Sequence, residues 1–196
     1  GTDLGTIWKP FPRLIIYSAL WYLYLEQEFV YVGDAGIVEP SGETNRAGVD
    51  LGLRYQINDW LFFNFDANYT YARSINEPDG ENYIPLAAGF TSTGRLSVQN
   101  WNNFSGGLRY RYLADRPANE DYSITAEGYF VTDLNVNYTF RDLIIGASVE
   151  NLFNTAWNET QFATESRLQN EVASVEEIHF TPGTPFFLKI GVTYKF

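Results

Sequence analysis

The residues best suited to hold a metal ion lie close together near the end of the chain, at Glu176, Glu177 and His179. Carboxylates and an imidazole are ordinary metal ligands. However, His179 is the only histidine, the chain has no cysteine, and the spacing of the three residues matches no known ligand pattern. We therefore interpret them as part of a solvated loop, and the sequence predicts no metal centre and no cofactor.

Covalent or acid–base catalysis needs a nucleophile with a base within reach. The chain offers no cysteine, and its single histidine falls in a predicted loop. No serine lies in the strand-to-helix turn that activates a hydrolase nucleophile. The sequence therefore argues against an enzyme.

Charge is distributed unevenly along the chain, whose formal net charge is −11. Fifteen of the 24 acidic residues, but only two of the 13 basic ones, fall in four long segments at 33–45, 74–89, 114–128 and 152–185. Scattered lysines and arginines exclude a nucleic-acid-binding face. The acidic segments have two interpretations: they attract a cationic or metal-bearing ligand, or they are solvated and bridged by divalent cations to lipid phosphates.

Between these segments the sequence alternates apolar and polar residues with a period of two, which predicts β-strands. In 103–113, for example, Phe104 and Leu108 fall on one face, whereas Arg109 and Arg111 fall on the other. Tight turns alternate with the long segments, and this predicts an up-and-down antiparallel meander. The nine predicted strands are 2–9, 13–32, 46–57, 60–73, 90–99, 103–113, 129–140, 143–151 and 186–196.

Alternation fits either a soluble sandwich, whose apolar faces meet in a core, or a transmembrane barrel, whose apolar face meets lipid. The predicted strands reach the ~9–11 residues that cross a tilted membrane wall. Mid-strand charges such as Asp66 and Arg95 suit a wet lumen. Aromatic residues also gather at both strand ends, as the two bilayer interfaces favour. They are Trp8, Trp60, Trp101, Phe140 and Phe196 on the short-turn side, and Tyr69, Tyr71, Tyr112, Tyr129 and Trp157 on the long-loop side.

An odd number of strands does not fit a complete barrel, because bacterial single-chain barrels close with an even number. With nine strands, the first and the last run in the same direction. We therefore expect either one strand that was missed within 152–185 or a chain that is part of a larger barrel.

Several motifs resemble those of TonB-dependent outer-membrane receptors. The most specific are the run from Val149 to Asn154, followed by Trp157 and Asn158, and the closing segment 181–196. Weaker matches lie at 45–51 and 83–87. The sequence departs from the usual motifs at Trp157, where the family often has tyrosine, and at Asp50, where glutamate is usual.

The resemblance implies an all-β fold that forms the last portion of an antiparallel transmembrane barrel of about 22 strands with a plug inside. Residues 1–196 would be its carboxy-terminal segment in the outer membrane of a Gram-negative bacterium, and the plug and earlier strands would lie upstream. The implied partners are these missing parts, TonB through the absent amino-terminal region, and outer-membrane lipid and lipopolysaccharide. The outer-membrane assembly machinery and a small-molecule nutrient complex are also implied partners.

The implied function is TonB-energised uptake of a scarce nutrient such as a ferric siderophore. Arg109, Arg111, Trp157 and Asn158 are the candidate ligand contacts, although the two arginines would serve equally well in salt bridges to the plug. An alternating series near the end resembles an outer-membrane assembly signal, at Ile190, Val192, Tyr194 and Phe196. A passive porin-like channel and a soluble β-sandwich binding module are the alternatives.

Overall fold

The chain forms an antiparallel sheet of nine strands in a computed structural model, which describes residues 1–32, 37–40 and 42–196. The nine strands follow one another in the sheet in chain order, which confirms the up-and-down meander. Among the described residues, no helix is long and apolar enough to cross a bilayer. The strands of the sheet are β1 (Thr2–Phe11), β2 (Leu14–Leu25), β5 (Thr44–Gln56), β6 (Leu61–Ser74), β7 (Phe90–Trp101), β8 (Phe104–Leu113), β11 (Tyr129–Phe140), β12 (Leu143–Glu150) and β15 (Phe187–Tyr194).

Three further hairpins, which were not predicted, lie in the long connections. They are β3 and β4 (Phe29–Val32 and Ile37–Pro40), β9 and β10 (Arg116–Pro117 and Thr125–Ala126), and β13 and β14 (Asn158–Ser166 and Val175–Pro182). Each hairpin is a separate two-stranded sheet. The possibility of a missed wall strand within 152–185 was therefore wrong, because the strands there pair only with each other.

The predicted strand 13–32 was wrong in its last part. The wall strand β2 ends at Leu25, and residues 29–32 pair with 37–40 in the small β3–β4 hairpin. The wall strand ends at the short polar segment 26–28, which the prediction bridged because apolar and aromatic residues resume at Phe29. Residues 33–36 and 41 of the predicted loop 33–45 lie outside the described residues.

The register of the sheet separates an apolar outer face from a polar inner face. One apolar row crosses six strands through Phe63, Leu96, Leu108, Leu134, Val149 and Leu188. No second layer formed by the described residues covers this row, and Leu96 is 40% exposed. A soluble sandwich would bury such a face against a second sheet. The uncovered apolar face instead fits contact with lipid.

Aromatic rings mark both ends of the outer face, as predicted for most of them. Trp60 and Trp101 stack at the short-turn end, with ring centroids 5.1 Å apart. Assigning Tyr129 and Trp157 to the outer belt was wrong. Tyr129 lies opposite Leu113 on the inner face, because it has the same strand parity as the polar residues of β11, and the Trp157 ring packs against it.

A serine on the outer face is matched by a neighbouring tyrosine. The Tyr110 hydroxyl lies 2.8 Å from Ser92 Oγ. Gly94 lies opposite Tyr110, and the tyrosine ring occupies the space that a Cβ at Gly94 would need. The glycine thus lets the ring lie against the sheet, and the serine hydroxyl has the hydrogen bond that a polar group facing lipid requires.

The short turns are closed by local side-chain hydrogen bonds. Asn58 Oδ1 accepts hydrogen bonds from the backbone N–H groups of Trp60 and Leu61, at 3.0 and 2.8 Å. Asparagine favours such turns because its side chain bonds the backbone just ahead of it. An exposed ion pair of 2.7 Å between Arg13 and Asp59 links this turn to its neighbour.

Candidate functional site

Three arginines and one aspartate meet on the inner face of β7, β8 and β11. The register pairs Arg95 with Arg109, and Arg109 with Asp133, so that one row crosses three strands. Arg111 lies two residues beyond Arg109 on the same face. Arg109 Nη2 is 2.7 Å from Asp133 Oδ2, and Arg111 Nη2 is 3.8 Å from the same oxygen. Two guanidinium groups therefore share one carboxylate.

A pocket of about 440 Å³ opens over this row, and Trp157 from the longest connection forms part of its wall. The Arg111 guanidinium carbon lies 5.4 Å from the centroid of the Trp157 ring. Trp157 in turn packs against Tyr129, at 4.8 Å between centroids. Since a cation is attracted to the face of an indole, this stack restrains Arg111 at the edge of the pocket.

Asn151 holds the turn that brings Trp157 to the wall, and it is only 1% exposed. Its Nδ2 donates hydrogen bonds to the carbonyls of Thr155 and Thr184, at 2.8 and 3.0 Å, and its Oδ1 accepts one from Thr155 N–H at 2.8 Å. Its own N–H donates to Asp133 at 3.1 Å. Trp157 Nε1 donates to the Thr184 carbonyl at 3.0 Å. Asn151 therefore positions both the aspartate and the tryptophan.

Three of the four candidate ligand contacts come together in the pocket, namely Arg109, Arg111 and Trp157. Asn158 does not line the pocket and instead begins β13. Arg95 and Asp133 belong to the pocket but were not among the candidates. The sequence places Arg95 and Asp133 on the polar faces of their strands, and this was the one indication that they belong to a site. The cross-strand register that brings them to Arg109 cannot be predicted from a single strand.

Arg54, on the same inner face, shows what a fully paired arginine of this wall looks like. Its Nη2 donates to both carboxylate oxygens of Asp66, at 2.7 and 2.9 Å. Its Nη1 donates to two backbone carbonyls at 2.9 Å, and its guanidinium lies over the Tyr17 ring. With this many partners, Arg54 is a structural element of the wall.

The long connections are hydrogen-bonded to one another. Leu86 N–H donates to the Pro117 carbonyl at 2.7 Å, which joins 74–89 to 114–128. Gln161, only 3% exposed, donates to the Glu127 carbonyl at 2.7 Å and accepts from Glu127 N–H at 3.0 Å. This pair joins β13 to the same segment. The three connections therefore form one linked rim.

Gln161→Ala is expected to loosen this rim locally. The substitution removes both hydrogen bonds to the backbone of Glu127, and one intramolecular hydrogen bond contributes about 0.5–1.5 kcal/mol. We expect the Glu127 amide to exchange with deuterium at least about tenfold faster, since about 1.4 kcal/mol is tenfold. Exchange followed by mass spectrometry on the intact protein measures this, and exposed Thr160→Ala is the control. Unchanged exchange at Glu127 would contradict the link.

The rim also encloses an acidic pocket of about 600 Å³. Its acidic residues come from three connections and are Glu77, Glu81, Glu120, Asp121 and Glu176. Among the described residues, no three acidic or histidine side chains are close enough to hold a metal ion. His179 lies outside the pocket, with its Nε2 3.1 Å from Ser166 Oγ and 3.9 Å from Glu177.

Two rim groups have shifted pKa values. A hydrogen bond from the backbone N–H of Ser123, at 2.9 Å, holds the pKa of the Asp121 carboxyl below its usual value. Burial lowers the pKa of Arg116, which is 8% exposed in β9. The pKa shift thus favours the charged form of the Asp121 carboxylate in the acidic pocket.

Nine antiparallel strands with an uncovered apolar outer face and a charged inner face define the wall of a transmembrane β-barrel. A model of the family described as "TonB dependent receptor-like, beta-barrel" matches residues 1–152, which is most of the chain. The chain therefore belongs to the TonB-dependent receptor family, and it is an outer-membrane β-barrel chain. The resemblance found in the sequence is thereby confirmed.

Solved structures of similar fold cover nearly the whole chain. The ferric-catecholate import receptor Fiu from E. coli K12 matches with a TM-score of 0.70 and 21% identity over 98% of this chain. The siderophore receptor PiuA from Acinetobacter baumannii gives 0.71 and 14% over 99%, and the copper transporter OprC gives 0.70 and 17% over 99%. The chain covers only 27%, 28% and 31% of these proteins, respectively. No curated protein sequence matches the chain.

Proposed function

We propose that the chain forms the carboxy-terminal wall of a TonB-energised outer-membrane receptor that takes up a scarce nutrient such as a ferric siderophore complex. The plug and the earlier strands of a barrel of about 22 strands would come from parts of the protein outside residues 1–196. Family membership supports this proposal, as does the likeness in fold to proteins described as import receptors and transporters. TonB would engage the absent amino-terminal region.

The observation that carries the proposal is the pocket over Arg109 and Arg111. It lies on the inner face, and its lining joins wall strands to Trp157, Glu159 and Thr184 of the longest connection. A ligand held by the connections would therefore meet the charged wall directly. Arg109, Arg111 and Trp157 are the proposed contacts in the pocket, with Asn158 beside them at the start of β13.

Uptake in this proposal involves no covalent chemistry. The linked rim and the plug would capture the nutrient, and TonB would use inner-membrane energy to move the plug away from the wall. The described strands would stay fixed during this step, because their ladders and paired charges such as Arg54 and Asp66 hold them in register. The wall thus supplies charged contacts along the path of the nutrient.

The last strand also fits the proposed assembly signal. Ile190, Val192 and Tyr194 point to the outer face and are exposed, as is Phe196. An apolar strand that ends in an aromatic ring suits recognition by the outer-membrane assembly machinery. Lipid and lipopolysaccharide would cover the same face after insertion.

The proposed function predicts uptake that depends on TonB. Cells that lack their own siderophore receptors and produce the intact protein should accumulate an iron-55-labelled siderophore, and deletion of TonB should reduce accumulation to the level of cells without the receptor. A panel of catecholate, hydroxamate and citrate siderophores identifies the nutrient. Accumulation that is equal with and without TonB would contradict the proposal and point to a passive channel, which conductance in planar bilayers would then test.

A further inference from the structure

The row of arginines in the wall pocket is not balanced as a structural ion-pair network would be. Arg95 lies directly opposite Arg109 on one side and opposite Asn64 on the other, so neither cross-strand neighbour is an anion. Like charges directly opposite one another in a sheet are unfavourable. Elsewhere on this face Arg54 has a carboxylate partner, Asp66, with two hydrogen bonds. In the part of the chain that the structure describes, Arg95 has no such partner, and Arg109 has a single hydrogen bond to Asp133.

Asp133 does not supply the missing negative charge. Its one carboxylate already serves Arg109 and, at the longer distance, Arg111, while also accepting a hydrogen bond from Asn151 N–H. Among the described residues, Arg95 takes part in no ion pair, and Arg111 Nε is buried without a hydrogen-bond partner. Three guanidinium groups therefore face the pocket with one shared carboxylate and with unused donors.

Two other carboxylates line the pocket, at Glu150 and Glu159, but they do not neutralise this row. Glu150 ends β12, which lies two strands from Arg109 and three from Arg95, and these spacings amount to roughly 10 and 14 Å. Glu159 belongs to β13 of the longest connection. Neither glutamate forms an ion pair with an arginine in the described part of the chain. The lining as a whole is formally neutral, but its three positive charges are gathered on adjacent strands, where Asp133 is the one carboxylate that pairs with them among the described residues.

We propose that Arg95, Arg109 and Arg111 form a subsite for an oxyanion group of the ligand, of the carboxylate or phosphate type. The planar fork of a guanidinium matches two oxygens of such a group, and charge-assisted hydrogen bonds are the stronger ones. An oxyanion between Arg95 and Arg109 would relieve their repulsion. The pocket of about 440 Å³ has room for a small polyanion beside Trp157. This inference rests on one part of the proposed function, namely that a ligand reaches the inner face of the wall.

Titration of the intact, detergent-solubilised protein with citrate tests the subsite, with uncharged trimethyl citrate as the control probe. Isothermal calorimetry is expected to detect citrate but not its ester. Arg95→Gln and Arg109→Gln are each expected to weaken citrate binding at least about tenfold, because each removes charge-assisted hydrogen bonds. Arg95→Lys should retain part of the affinity, and Arg13→Gln, in an exposed turn at the far end of the barrel, should retain all of it.

A heat-modifiability gel shift shows whether each variant is folded, and Trp157→Phe should abolish the change in tryptophan fluorescence that citrate causes. The subsite is overturned if citrate does not bind, or if folded Arg95→Gln and Arg109→Gln bind it as well as the unmodified protein does; either outcome would assign the arginines to salt bridges with the plug. These outcomes are distinct from failure of the proposed function. TonB-dependent uptake without arginine-dependent citrate binding removes only the subsite, whereas citrate binding without such uptake removes only the function.

Discussion

Leu96→Arg is expected to lower the free energy of unfolding of the barrel by about 2–4 kcal/mol. Leu96 lies near the middle of β7 on the outer face, between Phe63 and Leu108. An arginine here would have to leave its charge in hydrocarbon or bend toward the interface at a cost to local packing. Urea unfolding of the intact protein in lipid vesicles, followed by tryptophan fluorescence, measures the change.

Thr91→Arg is the matched control, because Thr91 lies on the same strand but on the inner face, opposite the uncharged residues Asn68 and Leu113. Water in the lumen and the carboxylate of Asp50, which lines the same pocket, can accommodate the new charge. We expect this substitution to change the free energy of unfolding by no more than about 0.5 kcal/mol. Equal losses from the two substitutions would contradict the assignment of the faces.

Asn151→Ala is expected to lower the free energy of unfolding by about 3–5 kcal/mol. The substitution leaves the N–H and carbonyl of Thr155 without their partner, and the carbonyl of Thr184 keeps only the hydrogen bond from Trp157 Nε1. Each unsatisfied buried group costs about 1–3 kcal/mol, although a carbonyl that gains a water costs less. The same unfolding assay measures the loss, and Trp157 should become more accessible to a fluorescence quencher.

Two variants separate the sources of this loss. Asn151 has a φ of 50°, a conformation that glycine adopts without strain, so Asn151→Gly reports the lost side-chain hydrogen bonds without a steric penalty. Asn82→Ala removes only one exposed hydrogen bond of 3.4 Å and should leave stability nearly unchanged. Wild-type stability in Asn151→Gly would show that these hydrogen bonds do not hold the turn.

The nine wall strands could be predicted because a wall strand between lipid and water must alternate, and alternation is visible in a single sequence. The segment 103–113 shows this, since Leu108 and Arg109 lie on the outer and inner faces as their types indicate. The hairpin β13–β14 was not predicted. It lies at the rim, where water faces most of its side chains and no strict alternation is imposed.

The candidate site was predicted only in part, for a related reason. Arg109 and Arg111 stand out within their own strand, but Arg95 and Asp133 join them only through the register of three separate strands. Trp157 was assigned both to the belt and to the site. Its true position depends on hydrogen bonds from Asn151 to Thr155 and Thr184, and the latter is 33 residues away along the chain.

Ser92, Gly94 and Tyr110 constrain one another's replacement. A side chain at position 94 fits only if the ring at position 110 becomes smaller, and a smaller residue there leaves the Ser92 hydroxyl bare toward lipid. Changing Ser92 to alanine removes the need for the tyrosine hydroxyl and so widens the choice at the other two positions. Tolerance to mutation in this part of the wall is therefore a property of the trio. A library that varies one position at a time would find few tolerated substitutions at each. A library that varies all three positions together would yield folded variants in which the substitutions compensate for one another.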